Sequence, residues 1–458
     1  MLIRPQNLDA TQGPIFRKFL LFAFPIMIMN LLQLLFNAAD MIVVGRVAGS
    51  DALAAVGATA PLINLIVNLF MGLSVGTSVI VAQDRGAGHP EQIRRSVHTS
   101  VAISIVGGVL VMVTGFVFCV PLLGAMGTPD NIFDQSVLYM RIYFLGMPAS
   151  MVYNFGAGIL RAVGDSRRPM YYLVIAGIVN VVLNLIFVIG MHIGVAGVAW
   201  ATTISQYLSM VLILVCLVRS EDPIRLYLRR LRIDRKKLVQ IVRIGLPAGL
   251  QGLLFSISNV LIQSAVNTFG STLIAASSAA GNVEGFVGTS MNAYNNAAIT
   301  FAGQNMGARK YDRIDTVAKV STVLVFATWV ILGGPALLLG RPLLGLYTSD
   351  PEVVRLGMIR LTVLLAAYFS CGIMNVFPGL SRGMGYSILP MLSTLTGACL
   401  LRIVWLYTFF AWYPTVFMIF IAYPITWTLA GIGQVGVFLY ARRQIRLRDP
   451  DWETAAAG

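Results

Sequence analysis

Two acidic side chains stand apart in this 458-residue chain. Of its 19 aspartates and glutamates, Asp40 and Glu284 fall inside long apolar runs, and the rest map to the breaks between runs or to their edges. A charge at mid-membrane costs at least about 2.5–3.5 kcal/mol on insertion scales, so it is kept where it has a partner or a function. Asn180 and Asn184 are four residues apart and share one helix face. Thr202, on the following run, adds a hydroxyl. One carboxylate, two amide carbonyls and a hydroxyl make an oxygen-rich set suited to a hard monovalent cation or to a titrating proton. The same groups also suit a structural hydrogen-bond cluster that holds three helices together, and the spacing alone leaves both readings open.

Glu284 has a candidate partner in Arg402, read here as the only basic residue deep in a run. The pair is expected either as a neutralising intramembrane ion pair or as part of a substrate cavity in which Glu284 attracts cations. Asn292, Asn295 and Asn296 follow on the same run, and Gln251, Ser258 and Asn259 lie on the one before it. Four cysteines and three histidines are scattered without metal-ligand spacing, so no metal centre is expected beyond Na⁺ at the Asp40 group. No cofactor is expected, and no phosphate-binding loop or nucleophile–base arrangement is legible.

The composition is 57% hydrophobic and 11% charged, with a mean hydropathy of +0.79. A soluble domain carries roughly twice that share of charge. Twelve apolar segments can be placed, from about 18–47 to about 415–440, each long enough to cross a bilayer as a helix. The reading is an all-α polytopic membrane protein. The net charge of +14 does not signal nucleic acid, because Lys and Arg fall in alternate loops. Arg4, Arg17, Lys18, Arg85, Arg94, Arg161, Arg167, the 219–243 stretch, Arg309, Lys310, Arg313 and Arg442–Arg448 share one side. Arg46 and Arg341 are the main cations on the other. The positive-inside rule then places both termini in the cytoplasm of a cell (inner or plasma) membrane protein. The first apolar run is too long for a cleavable signal segment. Residues 454–458 are expected to be disordered.

An internal repeat divides the chain. Asn154, Gly158, Arg161, Gly164, Ser166 and Pro169-Met170 recur at one fixed offset as Asn375, Gly379, Arg382, Gly385, Ser387 and Pro390-Met391. Gln83-Asp84-Arg85-Gly86-Ala87 and Gln304-Asn305-Met306-Gly307-Ala308 keep the same offset. Pro25 and Pro247, and Asn37 and Asn259, match with one residue more. The expectation is two six-helix bundles from one duplicated unit, a parallel repeat. The bounds are an amino lobe at 1–218, a basic linker at 219–238, a carboxyl lobe at 239–441 and a tail at 442–458. The linker, with Leu226, Leu228, Leu231 and Ile233 among arginines, reads as a connector lying on anionic headgroups. Arg161 and Arg382 are expected to anchor in headgroups or cap helix carbonyls. Pro25 and Pro247 allow a bend in the first helix of each half. The match to Asp40 is Ile262, so the carboxylate belongs to one half.

In combination, the Asn37-x-x-Asp40 element, the Gln-x-x-Gly-Ala blocks and the R-x-x-G-x-S-x-x-P blocks resemble the prokaryotic branch of the multidrug and toxic compound extrusion (MATE) family over about 15–440. The resemblance implies a secondary antiporter that exports amphipathic, often cationic compounds in exchange for Na⁺ or H⁺. It implies alternating access, and Asp40, Asn180, Asn184 and Thr202 as the amino-lobe cation site, with Asn37 and Pro25 in support. Glu284 and Arg402 look like features of the same branch. Where some relatives carry an acid on the fifth span this chain has Asn184, and the acidic pair of other branches on spans seven and ten is replaced around Phe255, Tyr368 and Cys371. The partners implied are small amphipathic molecules and membrane lipid, with a functional monomer. The competing reading is a lipid-linked oligosaccharide flippase of the same superfamily, which needs basic groups around a cavity. A channel or a scaffold lacks any supporting motif.

Overall fold

The structure, a computed structural model, describes residues 8–221 and 223–449. The expectation for 454–458 and the charge at Arg4 lie outside these residues, as does the part of the tail beyond Asp449. Among the described residues, nine helices are long and apolar enough to cross a membrane singly, and a tenth span is a pair bent by 51°.

The first half runs α1 (Ile15–Val43), α2 (Ser50–Gly86), α3 (Pro90–Ala125), α4 (Asp130–Leu145), α5 (Met147–Ala162), α6 (Arg167–Asn184) and α7 (Val195–Arg219). Helices α4 and α5 form one span, interrupted at Gly146 ahead of Pro148. The second half runs α8 (Arg235–Asn267), α9 (Ser271–Gly307), α10 (Tyr311–Thr328), α11 (Gly334–Leu338), α12 (Gly340–Gly345), α13 (Pro351–Ala366), α14 (Tyr368–Gly383), α15 (Ile388–Thr394), α16 (Leu401–Trp405) and α17 (Val416–Arg448). Here α10 to α12 make one span, α13 and α14 are the bent pair, and α15 and α16 make another. The result is a multi-pass, twelve-helix fold in two bundles. Helix α9 is less apolar than the other spans because its packed side is rich in Ala, Ser, Gly and Asn. Small residues there let α14, α13 and α10 approach closely.

The repeated R-x-x-G-x-S-x-x-P block is a helix stop used twice. Gly164 and Gly385 take φ of +94° and +93°, a conformation glycine adopts without penalty. Around them, Gly164 N–H donates to Arg161 O and Asp165 N–H to Leu160 O, while Gly385 N–H donates to Arg382 O and Tyr386 N–H to Ser381 O. Both are Schellman closures of the preceding helix. Arg382 departs from the headgroup expectation. It is buried, and its guanidinium donates to Gln251 Oε1 at 2.5 Å.

By packing, one compact unit comprises residues 24–249 with Leu8 and Asp9, and the other comprises 10–23 with 250–449. The division falls inside α1 and α8, close to Pro25 and Pro247, rather than in the basic linker. The reason for the second break is the crossing of α8 on α2. A Cβ on Gly72 would lie 2.1 Å from the Gly249 nitrogen, and one on Gly76 would lie 2.3 Å from the Ile241 carbonyl. Gly72, Gly76, Gly245 and Gly249 thus bring two backbones together and bind the start of α8 into the first unit.

The linker also docks on that unit. Leu226 is 1% exposed within its core. Tyr227 N–H donates to His98 Nε2 at 3.1 Å, and the two rings stack. Asp234 N–H donates to Thr99 Oγ1, and Lys237 Nζ reaches both Asp84 oxygens at 2.8 and 2.7 Å. Leu228 and Ile233 remain exposed. The linker is therefore one-sided, with Leu226 taken from the expected lipid face into the core.

Candidate functional site

The polar cluster of the first unit is assembled by α1, α6 and α7. Asn184 Nδ2 donates to Asp40 Oδ1 in a short hydrogen bond and to Asn180 Oδ1 at 3.4 Å. Asn180 Nδ2 donates to Thr202 Oγ1 at 3.4 Å. The four residues read together from the sequence are thus brought together in space. Asn184 and Asn180 are buried, and Asp40 and Thr202 are half-buried. Asn37 lies one helical turn before Asp40 and is exposed.

Local sequence explains the placement. The i, i+4 spacing stacks Asn180 over Asn184 on the inner face of α6. Immediately after Asn184 the helix widens into a π-helical stretch, Leu185–Gly190, and α1 does the same at Val44–Ala48, four residues beyond Asp40. Such widened turns free backbone groups near polar side chains. The first of them has a match in the second half at Leu406–Phe410, so it belongs to the duplicated architecture rather than to the site alone.

Asp40, Asn180 and Thr202 line a cavity of about 380 Å³ within the first unit. Its other walls include Asn37, Gln33, Asn64, Tyr139, Tyr143 and Gln206. The tyrosines and Gln206 were not singled out by the sequence. The helical phase of α4, in which Tyr139 and Tyr143 are four apart, is the signal that points both toward one face. Among the described residues no Lys or Arg forms an ion pair with Asp40. Asn184 Oδ1 is buried with no hydrogen-bond partner. An unbalanced carboxylate beside an orphaned amide oxygen is a donor set that a cation or proton would complete.

In the second unit the expected Glu284–Arg402 pair does not form. Glu284 Oε1 and Oε2 instead accept from Arg360 Nε at 2.9 Å and Nη2 at 3.1 Å, a fork-to-fork pair. Arg360 Nη1 also makes a short bond to Ser277 Oγ. Arg360 lies ten residues into α13, on the side that faces α9, so Arg402 is not the sole deep cation that the sequence suggests. On the facing side of α9, Gly281 leaves room for the guanidinium, since a Cβ there would lie 3.6 Å from Arg360 Nη2. Arg402 is 1% exposed. It donates to Asn259 Oδ1 at 2.8 Å and Thr426 Oγ1 at 3.3 Å and sits 4.5 Å from the Tyr423 ring centroid. Neutral oxygens and aromatic faces carry this cation in place of a carboxylate.

Asn292, Asn295 and Asn296 behave as helix polar groups. Asn296 Nδ2 bonds back to Asn292, and Asn295 packs against Gly379. Ser258 Oγ donates to Ala398 O, and Gln251 serves Arg382.

Against known proteins, a family profile named MatE matches twice, over residues 25–186 and 247–408. The two matches coincide with the repeat. The probable multidrug resistance protein YoeA of Bacillus subtilis is 30% identical over 387 residues, covering 82% of this chain and 83% of that protein. The FAD transporter of Shewanella oneidensis is 25% identical over 372 residues, covering 80% of this chain and 81% of that one. Among solved structures, a MOP superfamily transporter from Pyrococcus furiosus superposes with a TM-score of 0.89, covering 97% of this chain and 99% of that one at 24% identity. The last likeness bears on the fold.

Proposed function

Since this chain belongs to the MatE family of membrane transporters, we propose that it is a secondary antiporter exporting small amphipathic, often cationic drugs or metabolites, driven by entry of Na⁺ or H⁺. The name of the Bacillus relative supports multidrug export, and that of the Shewanella relative keeps a metabolite cargo within the reading. The observation that carries the coupling is the Asp40 cluster, a carboxylate faced by neutral amides, with the buried Asn184 oxygen unpartnered. Asp40 supplies the charge of the coupling site, Asn180 and Asn184 supply amide oxygens, and Thr202 its hydroxyl. Asn37 and the bend allowed by Pro25 support Asp40 on α1.

Transport proceeds by alternating access, with the cation and the exported compound favouring different states. Only unequal affinity for two states can shift the balance between them. The protein works as a monomer in the plasma membrane, with both ends and the arginine-rich loops on the cytoplasmic side. The flippase reading is weaker because it calls for free cations around a cavity. Arg402 is buried, and Arg360 is committed to Glu284.

The test is export of a fluorescent organic cation from proteoliposomes with Na⁺ and pH gradients imposed separately. Asp40→Asn should abolish export driven by whichever gradient serves the wild type, while the variant stays folded in the membrane. Wild-type export in Asp40→Asn would refute the coupling assignment.

A further inference from the structure

The second unit carries a groove of about 720 Å³ where the ends of α12, α13 and α17 converge. Helix α13 has two opposed faces. Arg360 faces α9, and Val354, Arg355, Met358 and Thr362 line the groove on the far side. Arg341 from α12 and Phe417 from α17 complete it. The walls are mainly apolar, and two guanidinium groups stand at the rim. Arg355 is held by Glu352 at 2.8 and 2.6 Å. Arg341 is exposed and, among the described residues, forms no ion pair or hydrogen bond. Close to it in sequence, Leu338 and Leu346 are 85% and 81% exposed, apolar side chains suited to contact with lipid.

The repeat shows that these cations are not demanded by the fold. Pro121-Leu122-Leu123-Gly124 recurs as Pro342-Leu343-Leu344-Gly345, and the residue before it is Val120 in the first half and Arg341 in the second. Helices α4 and α13 both have 16 residues, so Arg355 stands where the first half has Asp134. A valine and an aspartate have given way to two arginines at the edge of an apolar groove. Helix α10 starts beside Arg309 and Lys310, so Arg341, past the end of α11, lies at the end of the bundle away from the arginine-rich loops.

We infer that this groove is a binding site for an anionic glycerophospholipid, with an acyl chain along Val354, Met358 and Phe417 and the headgroup phosphate on Arg341. A guanidinium offers a planar fork that matches phosphate oxygens. One basic residue near a membrane surface strengthens binding of an anionic headgroup by about fivefold.

The test uses full-length protein stripped of lipid in detergent, then offered equal amounts of phosphatidylglycerol and phosphatidylcholine, with retained lipid counted by native mass spectrometry. The wild type should keep phosphatidylglycerol in preference. Arg341→Ala should lower that retention by about fivefold, and Arg341→Lys should keep most of it. Thr362→Trp, which fills the groove, should release both lipids. Each variant's thermal midpoint in lipid-free detergent checks that it is folded. Equal retention of the two lipids by the wild type, or undiminished phosphatidylglycerol on Arg341→Ala or Thr362→Trp, overturns the inference. So does full displacement of phosphatidylglycerol by inorganic phosphate, because the site would then recognise a free anion without the acyl chain.

Discussion

Asp40 in the first unit and Glu284 in the second are both carboxylates set into apolar helices, yet of the two only Glu284 forms an ion pair among the described residues. The helices around them descend from one repeated sequence, so the difference lies in side chains and not in backbone plan. In the second unit Arg360 neutralises Glu284, and Arg402 adds a buried positive charge supported by Asn259, Thr426 and Tyr423. In the first unit Asp40 faces Asn184, and through it Asn180 and Thr202. A carboxylate already satisfied by a fixed guanidinium has little use for a transported ion, whereas one held only by a neutral amide keeps a charge that an ion could balance. The duplicated fold has thus been given a closed charge network in one half and an open one in the other.

The sharpest way to break this contrast is to open the closed network. Arg360→Ala leaves Glu284 buried without its partner, and loss of one member of a buried pair costs about 3–5 kcal/mol. The expected result is a large fall in the thermal midpoint of the purified protein. The double variant Glu284→Leu/Arg360→Met removes both charges together and should recover most of that loss, as replacement of a whole buried pair is often close to neutral. A double variant as unstable as Arg360→Ala would mean that the guanidinium matters for its bond to Ser277 rather than for the pair.

A smaller effect is expected in the open network. Asn184→Ala removes the group that orients Asp40 and should weaken coupling-ion affinity by about 10-fold or more, with less effect on thermal stability in the absence of ion. Competition binding across ion concentrations measures it. Equal ion affinity in the variant would reduce Asn184 to a structural hydrogen bond.

The smallest effect concerns the linker. Asp234 accepts from the backbone N–H groups of Lys237 and Lys236 at 3.1 and 2.9 Å, the pattern of a helix N-cap. The Lys237 N–H first, then that of Lys236 and the charges of Arg95 and Lys237, hold the carboxyl below its usual range despite some desolvation. Asp234→Ala should cost about 1 kcal/mol. A carboxyl with a lowered pKa contributes fully above its ordinary value, and the contribution fades as pH falls through the lowered one. The gap between wild type and variant should therefore close only in strong acid. A gap that closed on raising the pH would contradict the capping role.

Much of this was legible in the sequence because intramembrane charge and repeat registers are strong signals. Asp40, Asn180, Asn184 and Thr202 could be grouped from helix phase, and Asp40 stood out because its match in the second half is Ile262. The recurrence of one helix stop at Gly164 and Gly385 matches the repeated motif. The partner of Glu284 was not legible, because Arg360 lies near the start of a bent span, where a basic residue reads as an edge charge. Its approach depends on the packing of α13 against α9, which no local pattern encodes. The burial of Leu226 and the docking of the linker likewise depend on contacts across long sequence separations, such as His98 with Tyr227 and Asp84 with Lys237.

The most direct measurement is the number of coupling ions bound per chain, by radiolabelled Na⁺ and by proton release on drug addition, in wild type, Asp40→Asn and Glu284→Gln. The account predicts a single site that vanishes in Asp40→Asn and persists in Glu284→Gln. A second site, or one that survives Asp40→Asn and is lost in Glu284→Gln, would contradict it.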